Sequence, residues 1–444
     1  MLRIRDARQA RLADGENTKK RGTMLIEQVV HRDNLLRAHQ RVVQNKGAPG
    51  ADGVRVDQLM DYCRQHWPRI RVELLSGRYA PFAVKRVDIP KPDGKGTRML
   101  GIPCVIDRLI QQALLQVLQP LFEPLFSPYS FGFRPNRNAH QAVTQARDYV
   151  AGGCRYVVDI DLEKFFDRVN HDILMARVAR VVKDKLVLRL IRSYLEAGIL
   201  ADGVVSPRLE GTPQGGPLSP LLSNVLLTDL DNELTQRGLR FCRYADDCNI
   251  YVGSLAAGER VLSSVRLFLE KKLKLRVNAE KSAVAHPWDR KFLGYSMTEH
   301  PYPKLRAAPQ SVERLKQKLR PYFREARGTK FSLTLQLIGR IVKGWTAYFR
   351  LSETTKAFEV VDKWLRRHLR CILWRQWKQP NTRIRELVRR GVRLEEARAA
   401  SYCGRGPWFS AALPAMHKAI TNEALRNLGH TSLLENIKRL RQSG

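Results

Sequence analysis

Apolar residues first recur at helical spacing from about Leu25 to Gln44, and Gly47-Ala48-Pro49-Gly50 then breaks the pattern. A short extended stretch, Val84 to Pro90, leads into the polar turn Pro92-Asp93-Gly94-Lys95-Gly96. Helical periodicity returns from Ile106 to about Leu121 and from Arg137 to Val150. Tyr156 to Ile160 reads as a buried strand bounded by glycines. Asn170 suits the N-cap of the following helix, because its side-chain oxygen can accept a free backbone N–H. Leu239 to Val252 predicts a hairpin with a tight polar turn near Asp246-Asp247. Helix and strand alternate to about Ser296, which makes this block α/β, whereas Gln310 to about Val392 is helical almost throughout. From Ser401 the turn Cys403-Gly404-Arg405-Gly406-Pro407 precedes two short helices. The pattern predicts a basic N-terminal arm (1–33), loose or partly helical through residue 23, then an α/β block (34–300), an all-α domain (301–392) and a small basic C-terminal segment (393–444).

Composition sharpens this picture. A chain of 444 residues suits roughly three domains. Its 43% hydrophobic content is ample for a core. The formal net charge is +35. So large an excess of cations repels itself in a compact fold, and its usual use is a polyanionic partner. Residues 301–444 hold 31 Lys and Arg against 10 Asp and Glu, with five of the seven tryptophans. Catalysis is expected upstream and the gripping of nucleic acid downstream. The seven cysteines include no Cys-x-x-Cys pair, so neither a disulfide framework nor a structural zinc site is expected. With no apolar stretch at the N-terminus and no run near the roughly 18–20 apolar residues that span a bilayer, the expectation is a reduced, cytoplasmic, nucleic-acid-associated protein without a membrane partner.

The chemistry lies in two carboxylate clusters. One is Val157-Val158-Asp159-Ile160-Asp161-Leu162-Glu163-Lys164-Phe165-Phe166-Asp167, the other Phe241-Cys242-Arg243-Tyr244-Ala245-Asp246-Asp247-Cys248. Both place aspartates at the ends of apolar strands, where burial is costly unless a cation neutralises them. Two magnesium ions held by such carboxylates activate a primer hydroxyl and stabilise the leaving pyrophosphate. Alternatively, Asp246-Asp247 simply form a hairpin turn, a role these residues fill well. Asp159 and Asp167 stay ambiguous, although Asp161 stands nearer the strand end than Asp159, which shares its face.

Tyr244-Ala245-Asp246-Asp247 resembles the reverse-transcriptase signature, and the chain from about residue 34 onward resembles bacterial group II intron-encoded reverse transcriptase/maturases. In order, Gly50-Ala51-Asp52-Gly53, Ile89-Pro90-Lys91-Pro92-Asp93-Gly94 with Arg98, Ser130-Phe131-Gly132-Phe133-Arg134-Pro135, Gly211-Thr212-Pro213-Gln214-Gly215-Gly216-Pro217-Leu218-Ser219-Pro220 and Phe292-Leu293-Gly294-Tyr295 are similar to successive motifs of that family. The resemblance implies right-hand fingers and palm followed by a helical thumb or maturase domain. It implies Asp161, Asp246 and Asp247 as catalytic metal ligands, and Phe166 as an aromatic against the sugar of the incoming deoxynucleotide. Phe165 and Phe166 would both be core on the competing reading, which an extended segment disfavours because it sends them to opposite faces. Lys91 and Arg98 are implied to clamp the triphosphate, Gln214 to approach the nascent base pair, and Lys281 to lie near the phosphates.

Residues 337–350 resemble the core of the maturase domain, and Arg340, Lys343, Arg366, Arg367 and Arg370 follow as candidate contacts to nucleic acid, with Arg134 upstream. Tyr402, Arg405 and Trp408 sit in a tail similar to family endings, an expected DNA-contacting segment. The implied partners are the encoding intron RNA as template, a DNA target and primer, and deoxynucleoside triphosphates, with oligomeric state open. Many relatives end in a zinc-stabilised His-Asn-His nuclease, but only His417 and His430 follow Trp408. The chain is therefore expected to rely on a nick, a replication fork or single-stranded DNA for its primer. Two alternatives stand beside this reading: an RNA-binding splicing factor with an inactive polymerase, and an intron-derived enzyme turned to repair or defence.

Overall fold

The structure is a computed structural model that describes residues 24–90, 96–201, 204–207, 210–212, 215–326 and 328–442. The expected arm through residue 23, Lys91 with its turn, and Gln214 lie outside the described residues, as does the side chain of Arg98. The chain divides into two compact units, residues 1–146 with 154–285, and residues 147–153 with 286–444.

The first unit opens with helices α1 (Leu25–Val29), α2 (Arg32–Gln44) and α3 (Leu59–Leu75). The single helix expected over residues 25–44 is broken at His31, whose backbone is extended. The Asn34 side chain donates at 3.0 Å to the Val29 carbonyl and thereby satisfies the end of α1. Next come β1 (Val84–Pro90), β2 (Thr97–Ile102), α4 (Val105–Phe122) and α5 (Ala139–Ala151). Strand β3 (Tyr156–Ile160) leads to α6 (His171–Val181), capped as expected by Asn170, which accepts the Ile173 N–H at 2.9 Å. Helix α7 (Lys185–Glu196), the short strands β4 (Ile199–Ala201) and β5 (Val204–Ser206), and α8 (Ser219–Gln236) follow. The unit ends with β6 (Arg240–Tyr244), β7 (Asp247–Val252), α9 (Leu255–Phe268) and β8 (Ala283–Ala285).

Two four-stranded sheets organise these elements. One has the order β2-β1-β4-β5, with β1 parallel to β4. The other has the order β6-β7-β3-β8 and is antiparallel throughout. The apolar core takes in Val158, Ile160, Phe241 and Ile250 of this second sheet with Leu222, Leu226, Leu227 and Leu230 of α8. That helix buries polar Ser223, Asn224 and Asp231 along with its leucines, so it carries no clear amphipathic stripe for periodicity to detect.

In the second unit, β9 (Tyr295–Met297) and β10 (Leu305–Ala307) pair antiparallel ahead of helices α10 (Pro309–Glu325), α11 (Phe331–Tyr348), α12 (Lys356–Gln376), α13 (Pro380–Val388) and α14 (Leu394–Ser401). The tail holds four short helices rather than two: α15 (Pro407–Ser410), α16 (Pro414–Ala419), α17 (Asn422–Asn427) and α18 (Leu433–Gln442). Local punctuation makes the difference. Pro407 and Pro414 start two of them, Thr421 caps the third, and the Asp362 carboxylate accepts the Leu433 and Leu434 N–H groups at 2.8 and 3.0 Å.

A buried carboxylate joins α4, α7 and the segment after α3. Asp107, on the first turn of α4, accepts hydrogen bonds from the Tyr79 and Tyr194 hydroxyls and the Phe82 N–H. Burial outweighs these bonds and pushes its pKa up to about 7 from 3.8. The folded protein therefore keeps this proton between about pH 4 and 7 where the unfolded chain has lost it. The stability Asp107 contributes falls as pH rises through that window and is gone above it. Asp107→Asn should gain stability relative to wild type between about pH 5 and 7, by on the order of 1 kcal/mol per pH unit. Paired urea titrations check this, and a pH-independent difference would show that Asp107 titrates normally.

Candidate active site

Strand β3 lies between β7 and β8, and its register fixes where the carboxylates emerge. Asp159 faces Asn249 and Ile160 faces Cys248, so Asp159 lies within the ladder and Asp161 just past it. At the same end, Tyr244 pairs with Asp247 across the β6–β7 turn. Asp161, Asp246 and Asp247 thus share one end of the sheet. The Asp161 N–H donates to Ser282 Oγ at 3.0 Å, and the Asp161 carbonyl accepts the Asn278 N–H at 2.9 Å. The ammonium of Lys281 lies 3.8 Å from Asp161 Oδ1, and the carboxylate is about one-third exposed.

The turn rests on a buried cation. Arg243 and Asp231 are both fully buried, and the Arg243 guanidinium grips the Asp231 carboxylate through Nε and Nη2 at 2.7 and 2.6 Å. Burial opposes the charge on Arg243, but the carboxylate of Asp231 outweighs it and leaves the pKa raised. Its Nη1 donates at 2.9 Å to both the Ala245 carbonyl and Asn224 Oδ1. Asn224 in turn donates to the Gly132 carbonyl at 2.9 Å. Ala245 is thereby held in the left-handed region, at φ +57°, which a non-glycine residue adopts only when its surroundings impose it. Gly132 lies so close that a Cβ there would overlap the Ala245 nitrogen. The sequence reading missed Arg243, Asp231 and Asn224. Asp231 is one of three carboxylates in α8, with Asp229 and Glu233, and nothing in the local sequence marks it as the buried one that demands a partner.

Beside this turn, Leu100, Phe133, Phe166, Gly215 and Gly216 help line a cavity of ≈ 430 Å³. Phe166 sits in a 3₁₀ turn over Phe165–Asp167 that begins after the left-handed Lys164. The segment is not extended, contrary to expectation, so the two rings are not sent to opposite faces. Both phenylalanines are buried, with ring centroids 5.2 Å apart, and Phe166 also meets the cavity. The Thr212 N–H donates to the Phe166 carbonyl at 2.6 Å, joining the Gly211-Thr212 loop to this turn.

Several expected nucleic-acid contacts are occupied within the fold. Arg134 is an ion-pair partner of Glu123 at 2.7 Å and donates to the Ser127 and Ser130 carbonyls, with its side chain only 5% exposed. Buried Arg370 donates to the Ile420 carbonyl at 2.9 Å, and burial, then Arg366, lowers its pKa to about 10. Arg367 stacks 4.2 Å from the Trp408 ring centroid and Arg405 4.8 Å from that of Phe409. Arg340, Lys343 and Arg405 are exposed, and Arg366 is half-buried.

Three hard oxygen donors at one end of a sheet suit a divalent cation in kind. Among the described residues, however, no three His, Cys, Asp or Glu side chains already form a cluster that would hold a metal ion.

Residues 89–297 match the family of reverse transcriptases (RNA-dependent DNA polymerases), and residues 312–391 match the group II intron maturase-specific domain. Protein YkfC of Escherichia coli (strain K12) is 35% identical over 302 residues, covering 59% of this chain and 79% of that protein. The group II intron-encoded protein LtrA of Lactococcus lactis subsp. cremoris is 30% identical over 348 residues, covering 64% of this chain. The chain belongs to the group II intron reverse transcriptase/maturase family. It spans 58% of the length of LtrA. A putative COX1/OXI3 intron 1 protein of Saccharomyces cerevisiae is 29% identical over 224 residues, covering 50% of this chain and 26% of that protein. As a reverse transcriptase/maturase, the chain is an RNA-directed DNA polymerase of a class that uses divalent metal, and its family assists splicing. The β6-β7-β3-β8 sheet is its palm.

Replacing Asp231 alone by Asn should cost about 3–5 kcal/mol, because Arg243 is left buried and unpaired. The pair Arg243→Met/Asp231→Leu should recover most of that stability, yet leave the Ala245 carbonyl unheld and DNA synthesis severely reduced. Urea unfolding and primer extension measure the two effects, and full activity in the stable pair would show that the network does not position the turn.

Proposed function

We propose that this protein extends a primer 3′-hydroxyl with deoxynucleotides on an RNA template, and that its template and splicing partner is the group II intron RNA that encodes it. The observation that supports this reading most directly is the strand register, which brings Asp161 to the same sheet end as Asp246 and Asp247. These three would hold two magnesium ions. Bound there, the metal supplies activation of the attacking hydroxyl and stabilisation of the leaving pyrophosphate.

The protein's own residues supply position and charge, which is most of what phosphoryl transfer asks of an enzyme. Arg243 fixes the turn that carries two of the carboxylates. Lys281 partly screens Asp161 until the substrate complex forms. Phe166 would abut the sugar of the incoming nucleotide and select against a 2′-hydroxyl, while Lys91 and Arg98 clamp its triphosphate and Gln214 adjoins the new base pair. The basic surface of the C-terminal unit, with Arg340 and Lys343 exposed, would hold RNA by its backbone. A DNA target supplies the primer during insertion of the intron, in the bacterial cytoplasm. No helix among the described residues is long and apolar enough to cross a membrane.

Primer extension on RNA with magnesium tests the proposal. Wild type should use deoxynucleotides in strong preference to ribonucleotides, and Phe166→Val should relax that preference by on the order of tenfold, the scale on which a pocket discriminates one small group. Asp246→Asn should lose DNA synthesis while keeping RNA affinity. Equal synthesis by wild type and Asp246→Asn would overturn the metal-site assignment, and no synthesis by wild type under any metal condition would favour a pure splicing factor. RNA affinity should also fall steeply and linearly on a log–log plot against salt, and a flat response would exclude electrostatic grip.

A further inference from the structure

Helices α13 and α14 form a hairpin with an unusual exposed face. Along α13, Asn381, Ile384, Arg385 and Val388 recur at helical spacing, and along α14 and its cap, Leu394, Arg398 and Tyr402 do the same. The two rows line a single groove of ≈ 520 Å³. Its apolar surface is open to solvent: Val388 is 41% exposed, Leu394 48% and Tyr402 66%.

The charges around the groove are not balanced. Glu386 is engaged by Arg389 and Arg390, and Glu396 by Lys418. Among the described residues, no ion pair or side-chain hydrogen bond engages Arg385 or Arg398. Elsewhere in this unit, cations lie over its own aromatic rings: Arg367 over Trp408, Arg383 over Trp374, Arg390 over Trp377 and Arg405 over Phe409. Tyr402 has no such cation and stacks on no other ring among the described residues. Arg385 lies close enough to Glu386 to act on its charge, but that carboxylate is already held by Arg390. The groove thus offers two guanidiniums outside any ion pair and one aromatic face without a ring or cation partner among the described residues.

We infer that this groove binds an unpaired stretch of RNA, with one base stacked on Tyr402 and adjacent phosphates on Arg385 and Arg398. Phosphate oxygens match the guanidinium fork, and the exposed ring accepts a base of any identity. A groove of this size is of the order that takes one or two nucleotides. Folded RNA presents unstacked bases in loops and bulges, whereas duplex DNA keeps its base faces covered. The choice of RNA rests on the intron partner proposed above. The groove itself is independent of the carboxylate site.

The test is binding by the full chain to a short fluorescent single-stranded RNA of mixed sequence, to the same RNA as a perfect duplex, and to single-stranded DNA of matching sequence. None of the substituted side chains makes an ion pair or side-chain hydrogen bond among the described residues, and thermal melting should show unchanged folding. Tyr402→Ala should weaken binding to the single strand on the order of tenfold, Tyr402→Phe should not, and neither should alter duplex binding. Arg385→Ala/Arg398→Ala should lower the log–log salt slope by about 1.4, the share of two phosphates in a single strand. Unchanged single-strand binding, or an equal loss on duplex, would overturn the proposal. Tighter, Tyr402-dependent binding of the DNA strand would overturn the choice of RNA and assign the groove to DNA. Displacement of RNA by an acidic peptide beyond its ionic-strength effect would overturn it in favour of protein. Because the readout is binding alone, failure of primer extension would count against the polymerase reading and leave this result intact.

Discussion

The ion pair between Arg243 and Asp231 is the constraint on which the palm depends. Both groups are shut away from water, so neither tolerates the loss of the other. A buried pair is weak evidence for stability by itself, and what it supplies here is geometry. Arg243 directs two donors to the acid and a third nitrogen to the Ala245 carbonyl and Asn224. Helix α8, the Gly132 loop and the carboxylate turn are therefore tied to one guanidinium. A left-handed alanine in the turn is tolerable because this network leaves it little choice.

Much of the local structure was legible in the sequence. The apolar run at residues 156–160 and the extended stretch at 84–90 appear as β3 and β1 with the expected ends. Asn170 caps its helix because capping is a local interaction, readable from a few residues. What was not legible depended on contacts distant in sequence. Helix α8 buries Asn224 and Asp231 among its leucines, and the buried roles of Arg134 and Arg370 arise from carbonyls that only the folded chain brings near. The turn at Phe165–Asp167 replaced an extended segment because Lys164 adopts a left-handed backbone, for which its residue type gives no warning.

Two kinds of cation coexist in a chain of net charge +35. Some arginines hold the fold together, tied to carbonyls, acids or aromatic rings. Others, such as Arg385 and Arg398, stand outside any ion pair or side-chain hydrogen bond among the described residues. Net charge counts both alike, so it identifies a polyanionic partner but not the surface that meets it. Burial and partners make that distinction.

The order of the palm strands has a consequence for synthesis of the protein itself. Strand β3 is complete at residue 160, but its two neighbours in the sheet are residues 247–252 and 283–285. During translation, Asp161 emerges from the ribosome well before either flank exists to fix its position. Both flanks of β3 exist only once the chain has been made past residue 285, and a prematurely terminated product ending before residue 246 would contain the first aspartate without its counterparts.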